Sequence, residues 1–122
     1  MATTTDFGIV QVGANITVTN GVISTDAAGN PLYNTTVQTG DYSATNDDYY
    51  IGVDSAVATT ITLPAGTDGK MFIIKDELGP GSGTITIQGT GGETIDGSAT
   101  FTNTVTFGSV SVIFRGTEWH VV

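Results

Sequence analysis

The sequence holds no cysteine, three cations, three prolines, one tryptophan and one histidine in 122 residues. The lack of cysteine excludes a disulfide framework, a thiolate zinc site and a cysteine nucleophile. Three Lys and Arg residues cannot build the basic face of a nucleic-acid binder, so no nucleic-acid partner is expected. No apolar run approaches the roughly 20 residues of a membrane span. The start, Met1-Ala-Thr-Thr-Thr-Asp6, has neither the basic nor the apolar region of a secretory signal. Synthesis in a cytoplasm, without ordinary export and without a membrane partner, is the expectation. Charged residues make up only 12% of the chain and hydrophobic ones 39%, which excludes a disordered acidic tail. Ala, Glu, Lys and Leu are too scarce for a coiled coil.

What is abundant points to β structure. Threonine is about a fifth of the chain, far above ordinary usage, and glycine occurs 17 times. Twelve acids set a net charge of -9, unevenly spread: residues 1–69 carry seven acids and no cation, residues 70–122 five acids and three cations. This charge keeps a β-rich surface soluble; concentrated in the N-terminal part, it also suits docking on a basic partner.

Gly8-Ile-Val-Gln-Val12 and Asn15-Ile-Thr-Val-Thr19 alternate, and Asn20-Gly21 before Val22-Ile23 is a hairpin signal. Residues 25–48 read as a loop-rich, extended connector, too long for the interior of a compact domain. From Asp48 onward short strands follow one another: Tyr49–Val53; Thr59–Leu63, stopped by Pro64; Lys70–Lys75, continuous enough to be buried on both faces; and Gly83–Gln88, with Ile85 and Ile87 inward. Phe101, Asn103, Val105 and Phe107 share one side of residues 100–107, and Ser109–Arg115 and Glu118–Val122 form a hairpin over Gly116-Thr117. Thr60-Ile-Thr-Leu63 echoes Thr84-Ile-Thr-Ile87 at a spacing of 24, but two copies do not make a solenoid. Turn signals every 8–12 residues predict an all-β fold: a small antiparallel β-sandwich or jelly-roll-like barrel over residues 47–122, preceded by an N-terminal arm, residues 1–46, with a hairpin and an extended connector. The expected core is Ile73, Ile74, Ile85, Ile87, Ile95, Val110, Val112, Phe114 and Trp119, each contributing roughly 1.5–3 kcal/mol if fully buried.

Chemistry finds little purchase. His120 is the sole imidazole, and no nucleophile motif such as G-x-S-x-G accompanies it. Asn46-Asp47-Asp48 with Asp54 is an oxygen cluster, but it lacks the spacing and distal Glu of a calcium loop. Glu93, Asp96 and Glu118 are the acids available for a paired-carboxylate hydrolase. Asn15-Ile-Thr17 and Asn34-Thr-Thr36 match the glycosylation sequon by the abundance of threonine. No catalytic residue, cofactor or metal is assigned. Tyr49, Tyr50 and Trp119 are the candidate exposed aromatics for a glycan.

Asp48-Tyr-Tyr-Ile-Gly-Val-Asp54, Thr60-Ile-Thr-Leu-Pro64, Gly69-Lys-Met-Phe-Ile-Ile-Lys-Asp76, Ile85-Thr-Ile87, Thr94-Ile-Asp-Gly97, Gly108-Ser-Val110 and Gly116-Thr-Glu-Trp-His-Val121 together resemble a β-module of structural proteins of tailed bacteriophages and large viruses. Such modules recur in fibre ends and in capsid decoration (cement) proteins. Gly8–Gly13 and Asn15–Ser24 also resemble phage fibre connectors. The resemblance implies a homotrimeric virion component without catalysis, assembled in the host cytoplasm. The short chain favours a decoration protein, whose partners are its own copies and the major capsid protein or another virion neighbour; a fibre tip or receptor-binding module is the alternative. In this reading Ile9, Val10, Val12, Ile16 and Val18 of the arm contact the capsid or another subunit by strand addition.

Overall fold

The computed structural model describes residues 24–25 and 31–122. Ile9, Val10, Val12, Ile16 and Val18, with the Asn20-Gly21 turn, lie outside the described residues. The described residues contain eleven strands and no helix: β1 (Ser24–Thr25), β2 (Pro31–Leu32), β3 (Thr35–Gln38), β4 (Tyr42–Ser43), β5 (Tyr50–Val53), β6 (Thr59–Thr62), β7 (Met71–Asp76), β8 (Ile85–Gln88), β9 (Thr100–Asn103), β10 (Ser109–Arg115) and β11 (Glu118–Val121). β1 and β2 pair with each other. The rest form a five-stranded sheet, β11-β10-β7-β5-β3, and a four-stranded sheet, β4-β6-β8-β9. The two sheets share one core of inward-facing side chains.

The sandwich is all-β as expected, but its sheets are mixed rather than antiparallel. From β3 to β8 the chain alternates between sheets, so that β3, β5 and β7 are parallel neighbours in one sheet and β4, β6 and β8 in the other. A return to a parallel position in the same sheet needs a dozen or more residues. Here the return path is itself a strand of the facing sheet. Within these two sheets the antiparallel pairs are β8–β9, β7–β10 and β10–β11. Only β10–β11 among these closes over two residues, with Gly116 at φ 74° supplying the positive dihedral of a type II′ hairpin. The echoing segments prove to be parallel neighbours: Thr60 pairs with Thr86 and Ile61 with Ile87. That register is two residues from the sequence echo, and a two-residue slip leaves each side chain on its own face.

Two other readings change. Residues 35–43, expected as connector, supply β3 and β4 to the sheets, and Ala44 joins the core. β7 is not buried on both faces: Phe72, Ile74 and Asp76 point inward, while Met71, Ile73 and Lys75 are half-covered. Ile74, Ile85, Ile87, Ile95, Val110, Val112, Phe114 and Trp119 are buried as expected, joined by Ile51, Val53, Ile61, Leu63 and Phe72. Trp119 sits at the centre, its ring 5.6 Å from Phe72 and 5.2 Å, edge-on, from Phe114. These offset contacts add to area burial.

Candidate functional site

The acids that a catalytic or cation site would draw on are hydrogen-bond acceptors for the loops. Asp76, buried at the end of β7, accepts from the backbone N–H groups of Leu78 (3.1 Å) and Gly79 (3.0 Å) through Oδ1. Its Oδ2 accepts from the Ser82 hydroxyl (3.0 Å) and Phe107 N–H (2.9 Å). Burial alone disfavours the charged form strongly, but the bonds from Gly79, Phe107, Ser82 and Leu78 together outweigh it and hold the carboxyl below its ordinary value. Asp76 thereby ties the β7–β8 loop to the β9–β10 loop.

Asp48 plays the same part at the opposite end. Its Oδ2 accepts from Tyr42 Oη (2.7 Å) and Thr45 N–H (2.9 Å), and Lys70 Nζ donates to the carbonyls of Asn46 (2.9 Å) and Asp48 (2.7 Å). Burial, helped by the bond to Asp48 and its charge, pushes the Tyr42 hydroxyl up to about 12. Glu93 receives Gly66 N–H at 3.1 Å and the Trp119 indole N–H at 3.2 Å. Glu118 receives Thr94 Oγ1 and Gly97 N–H, both at 2.8 Å, and these bonds hold its carboxyl below the ordinary value. Groups that attract N–H donors in this way are arranged to satisfy backbone, and among the described residues no three His, Asp or Glu side chains gather as a metal would need. His120 Nδ1 lies 3.6 Å from Asp96 Oδ1, where residues 94–96 bridge to the outer edge of β11.

The candidate aromatics separate. Trp119 is fully buried and offers no exposed ring, a correction whose cause is the inward parity of the second residue of β11. Tyr49 and Tyr50 are half-buried. Tyr49 stacks on Tyr33 at 4.5 Å, and Tyr33 is itself 48% exposed. The Tyr50 hydroxyl donates to Glu77 Oε2 at 2.5 Å; burial and that bond push it up to about 12. Val105 and Phe107 leave the expected strand face: β9 stops at Asn103, and Phe107 turns outward at φ 58° with its N–H on Asp76 and its carbonyl held by Lys75 Nζ. A phenylalanine in the left-handed region is an uncommon conformation that sequence pattern does not register. Asn103 is buried; its Oδ1 accepts Val105 N–H at 3.1 Å, while its Nδ2 has no protein partner. It borders a polar cavity of about 70 Å³ lined also by Asp76, Ser82 and Thr84.

The outward faces of the sheets complete the surface. On the four-stranded sheet, Thr60, Thr86 and Thr102 form one cross-strand row, and Ser43, Thr62, Gln88 and Thr100 the next. A polar groove lies along this face, with Asp41 and Tyr42 at its margin. On the five-stranded sheet the rows are Thr35–Tyr50–Ile73–Ser111, Met71–Ile113–His120 and Val37–Gly52–Lys75–Ser109. No helix among the described residues is long and apolar enough to cross a membrane.

A comparison of the chain with protein-family models and with curated proteins finds no match.

Proposed function

We propose that this chain is a non-enzymatic structural protein of a virus particle, a homotrimeric decoration protein that binds and stabilises the surface of a phage head. The observation that supports this reading is the use of the acids. Asp48, Asp76, Glu93 and Glu118 each bind donors that fix loops or the core, as suits a chain built for rigidity and packing. The resemblance to virion β-modules points the same way. In this reading the arm, through Ile9, Val10, Val12, Ile16 and Val18, reaches the capsid or a neighbouring subunit.

The test mixes the purified full-length chain with phage heads that lack it. Saturable, stoichiometric binding and slower thermal disruption of the heads are expected; heads that neither bind nor gain stability overturn the reading. Removing residues 2–24 abolishes binding if the arm is the anchor. Coating by the shortened chain places the anchor elsewhere.

A second reading, a fibre tip that binds glycans, is favoured by the partly exposed Tyr33–Tyr49 stack. Binding on a glycan array that is lost in Tyr33→Ala and Tyr49→Ala supports it, and an array without signal removes it.

A further inference from the structure

We infer that the loop end of the sandwich around Asn103 and Phe107 is a binding site for a neutral saccharide, with the hydroxymethyl arm of a hexose in the polar cavity beside Asn103 and the sugar ring against Phe107 and Val105. The site lies at the opposite end of the strands from the Tyr33–Tyr49 stack. It does not rest on the particle-protein reading.

Two independent observations lead to it. The first is the display of Phe107. Its φ of 58° is a conformation that residues with a side chain rarely hold, and such strain persists only where the surroundings over-determine it. Here they do. Its N–H is bound by Asp76 Oδ2 and its carbonyl by Lys75 Nζ, whose ammonium also lies 5.5 Å from the ring centre. Gly79 leaves the space directly under the ring. A loop that only had to reverse the chain would place glycine or asparagine at this dihedral. What these contacts hold instead is an aromatic ring 51% exposed, with Val105 65% exposed two residues before it. Such a ring offers an apolar face to the C–H face of a sugar.

The second is the cavity. Asp76, Ser82, Thr84, Asn103, Thr104 and Val105 line about 70 Å³ between the β7–β8 and β9–β10 loops, and Thr84, Thr104 and Val105 are exposed, so it opens to solvent. Asn103 is only 7% exposed. Its Oδ1 accepts Val105 N–H, which fixes the orientation of the amide and leaves the Nδ2 donor without an acceptor in the chain. A buried donor of this kind is costly to keep, and the cavity that Asn103 lines is where an acceptor enters from outside. The Ser82 hydroxyl and the Phe107 N–H converge on the same Asp76 oxygen, so the cavity and the displayed ring are built on one carboxylate.

The same atoms select the class of ligand. Each Asp76 oxygen already accepts from two donors, so the carboxylate keeps no lone pair for a cation, and its charge repels an anionic group. A neutral oxygen remains. A hydroxyl accepts from the Asn103 amide and donates to the hydroxyl of Thr84 or Thr104 at once. With roughly 30 Å³ for each water-sized group, the cavity takes a hydroxymethyl arm and not a whole pyranose ring. The ring stays outside, on the apolar surface of Val105 and Phe107.

The experiment titrates the isotope-labelled full-length chain, followed by NMR, with the methyl glycosides of glucose, galactose and mannose. Methyl xyloside, which lacks the hydroxymethyl arm, and methyl glucuronide, whose arm is a carboxylate, are the controls. Saturable shifts of the Asn103 side-chain amide and the Phe107 N–H with at least one hexoside are expected, with affinity at least about 10-fold weaker for both controls. Phe107→Gly keeps the fold, since glycine is at ease at positive φ, and Thr84→Val keeps the shape of its side chain; each lowers hexoside affinity at least about 10-fold. No saturable binding by any hexoside, equal binding of the xyloside, or affinity unchanged in either variant overturns the inference. Binding that is lost only in Tyr33→Ala and Tyr49→Ala overturns it too, while leaving the fibre-tip reading in place. If circular dichroism finds Phe107→Gly unfolded, Thr84→Val on the exposed side of the cavity decides alone.

Discussion

The two sheets share one construction on the inside and differ on the outside. Inward, both alternate in the same way: Ile61, Ile85 and Ile87 on one side, Ile51, Val53, Phe72, Ile74, Val110 and Val112 on the other. Outward, the four-stranded sheet shows Thr60, Thr62, Thr86, Thr100 and Thr102, while the five-stranded sheet shows Tyr50, Met71, Ile73 and Ile113. β-branched threonine has the strand preference of valine with a hydroxyl that water satisfies. Folding needs only the inward set.

The largest effect is expected where the two sheets are tied together. Asp76→Ala leaves the donors of Leu78, Gly79, Ser82 and Phe107 without their acceptor. It is expected to cost at least about 3 kcal/mol in denaturant unfolding. The same group sets an acid limb. Its folded pKa lies below the unfolded value, so its contribution is complete above the ordinary carboxylate range and is lost as pH falls through the lower folded value. Asp76→Ala flattens that limb; an unchanged limb would remove Asp76 as its source.

Exchanging the faces sharpens the contrast. Ile73→Thr with Ile113→Thr makes the five-stranded sheet resemble the four-stranded one. It is expected to lower folding stability by only about 1–2 kcal/mol in denaturant unfolding, since both side chains are half-covered. A stability loss far beyond this would make the outer isoleucines part of the folding core.

One tyrosine on each sheet supplies a titration. Tyr50 on the five-stranded sheet and Tyr42 on the four-stranded sheet both have hydroxyls pushed up to about 12. A raised folded pKa means that stability is intact below pH 10 and falls between pH 10 and about 12, as the unfolded chain deprotonates first. Thermal melts across that window are expected to show the fall, and Tyr42→Phe and Tyr50→Phe each to remove part of it. The smallest effect is at Gly52, which lies outward beneath Glu77. An added Cβ would meet the far end of the flexible Glu77 side chain, which can swing aside. Gly52→Ala is expected to stay within about 0.5 kcal/mol of the native chain, while freeing Glu77 from the Tyr50 hydroxyl.

How much was legible depends on how far apart the partners are. Ile85 and Ile87, and Val110, Val112 and Phe114, declare their inward parity within five residues. The hairpin over Gly116-Thr117 is also local. The loss of alternation in Met71–Lys75 was misleading, because outward Met71 and Ile73 look in sequence like core. Trp119 reads in sequence both as core and as an exposed aromatic, because a ring beside Glu118 and His120 fits either until Phe72 and Phe114 close around it. The acid hubs were unreadable for the same reason: Phe107 reaches Asp76 across 31 residues, and Trp119 reaches Glu93 across 26.

Residue order alone already told that the described residues form short strands without helix, that the acids have no compensating basic surface, and which side chains of most strands turn inward, because two-residue periodicity is a local property of the extended backbone. Only packing settled that alternate strands lie in opposite sheets, that β3, β5 and β7 run parallel, and that the outward residues assemble into one hydroxyl-rich face and one on which Tyr50, Met71, Ile73 and Ile113 sit beside Thr35, Lys75, Ser109 and Ser111. The parallel pairs join segments 15 to 26 residues apart, and a short loop looks the same whether it turns back within one sheet or crosses to the other.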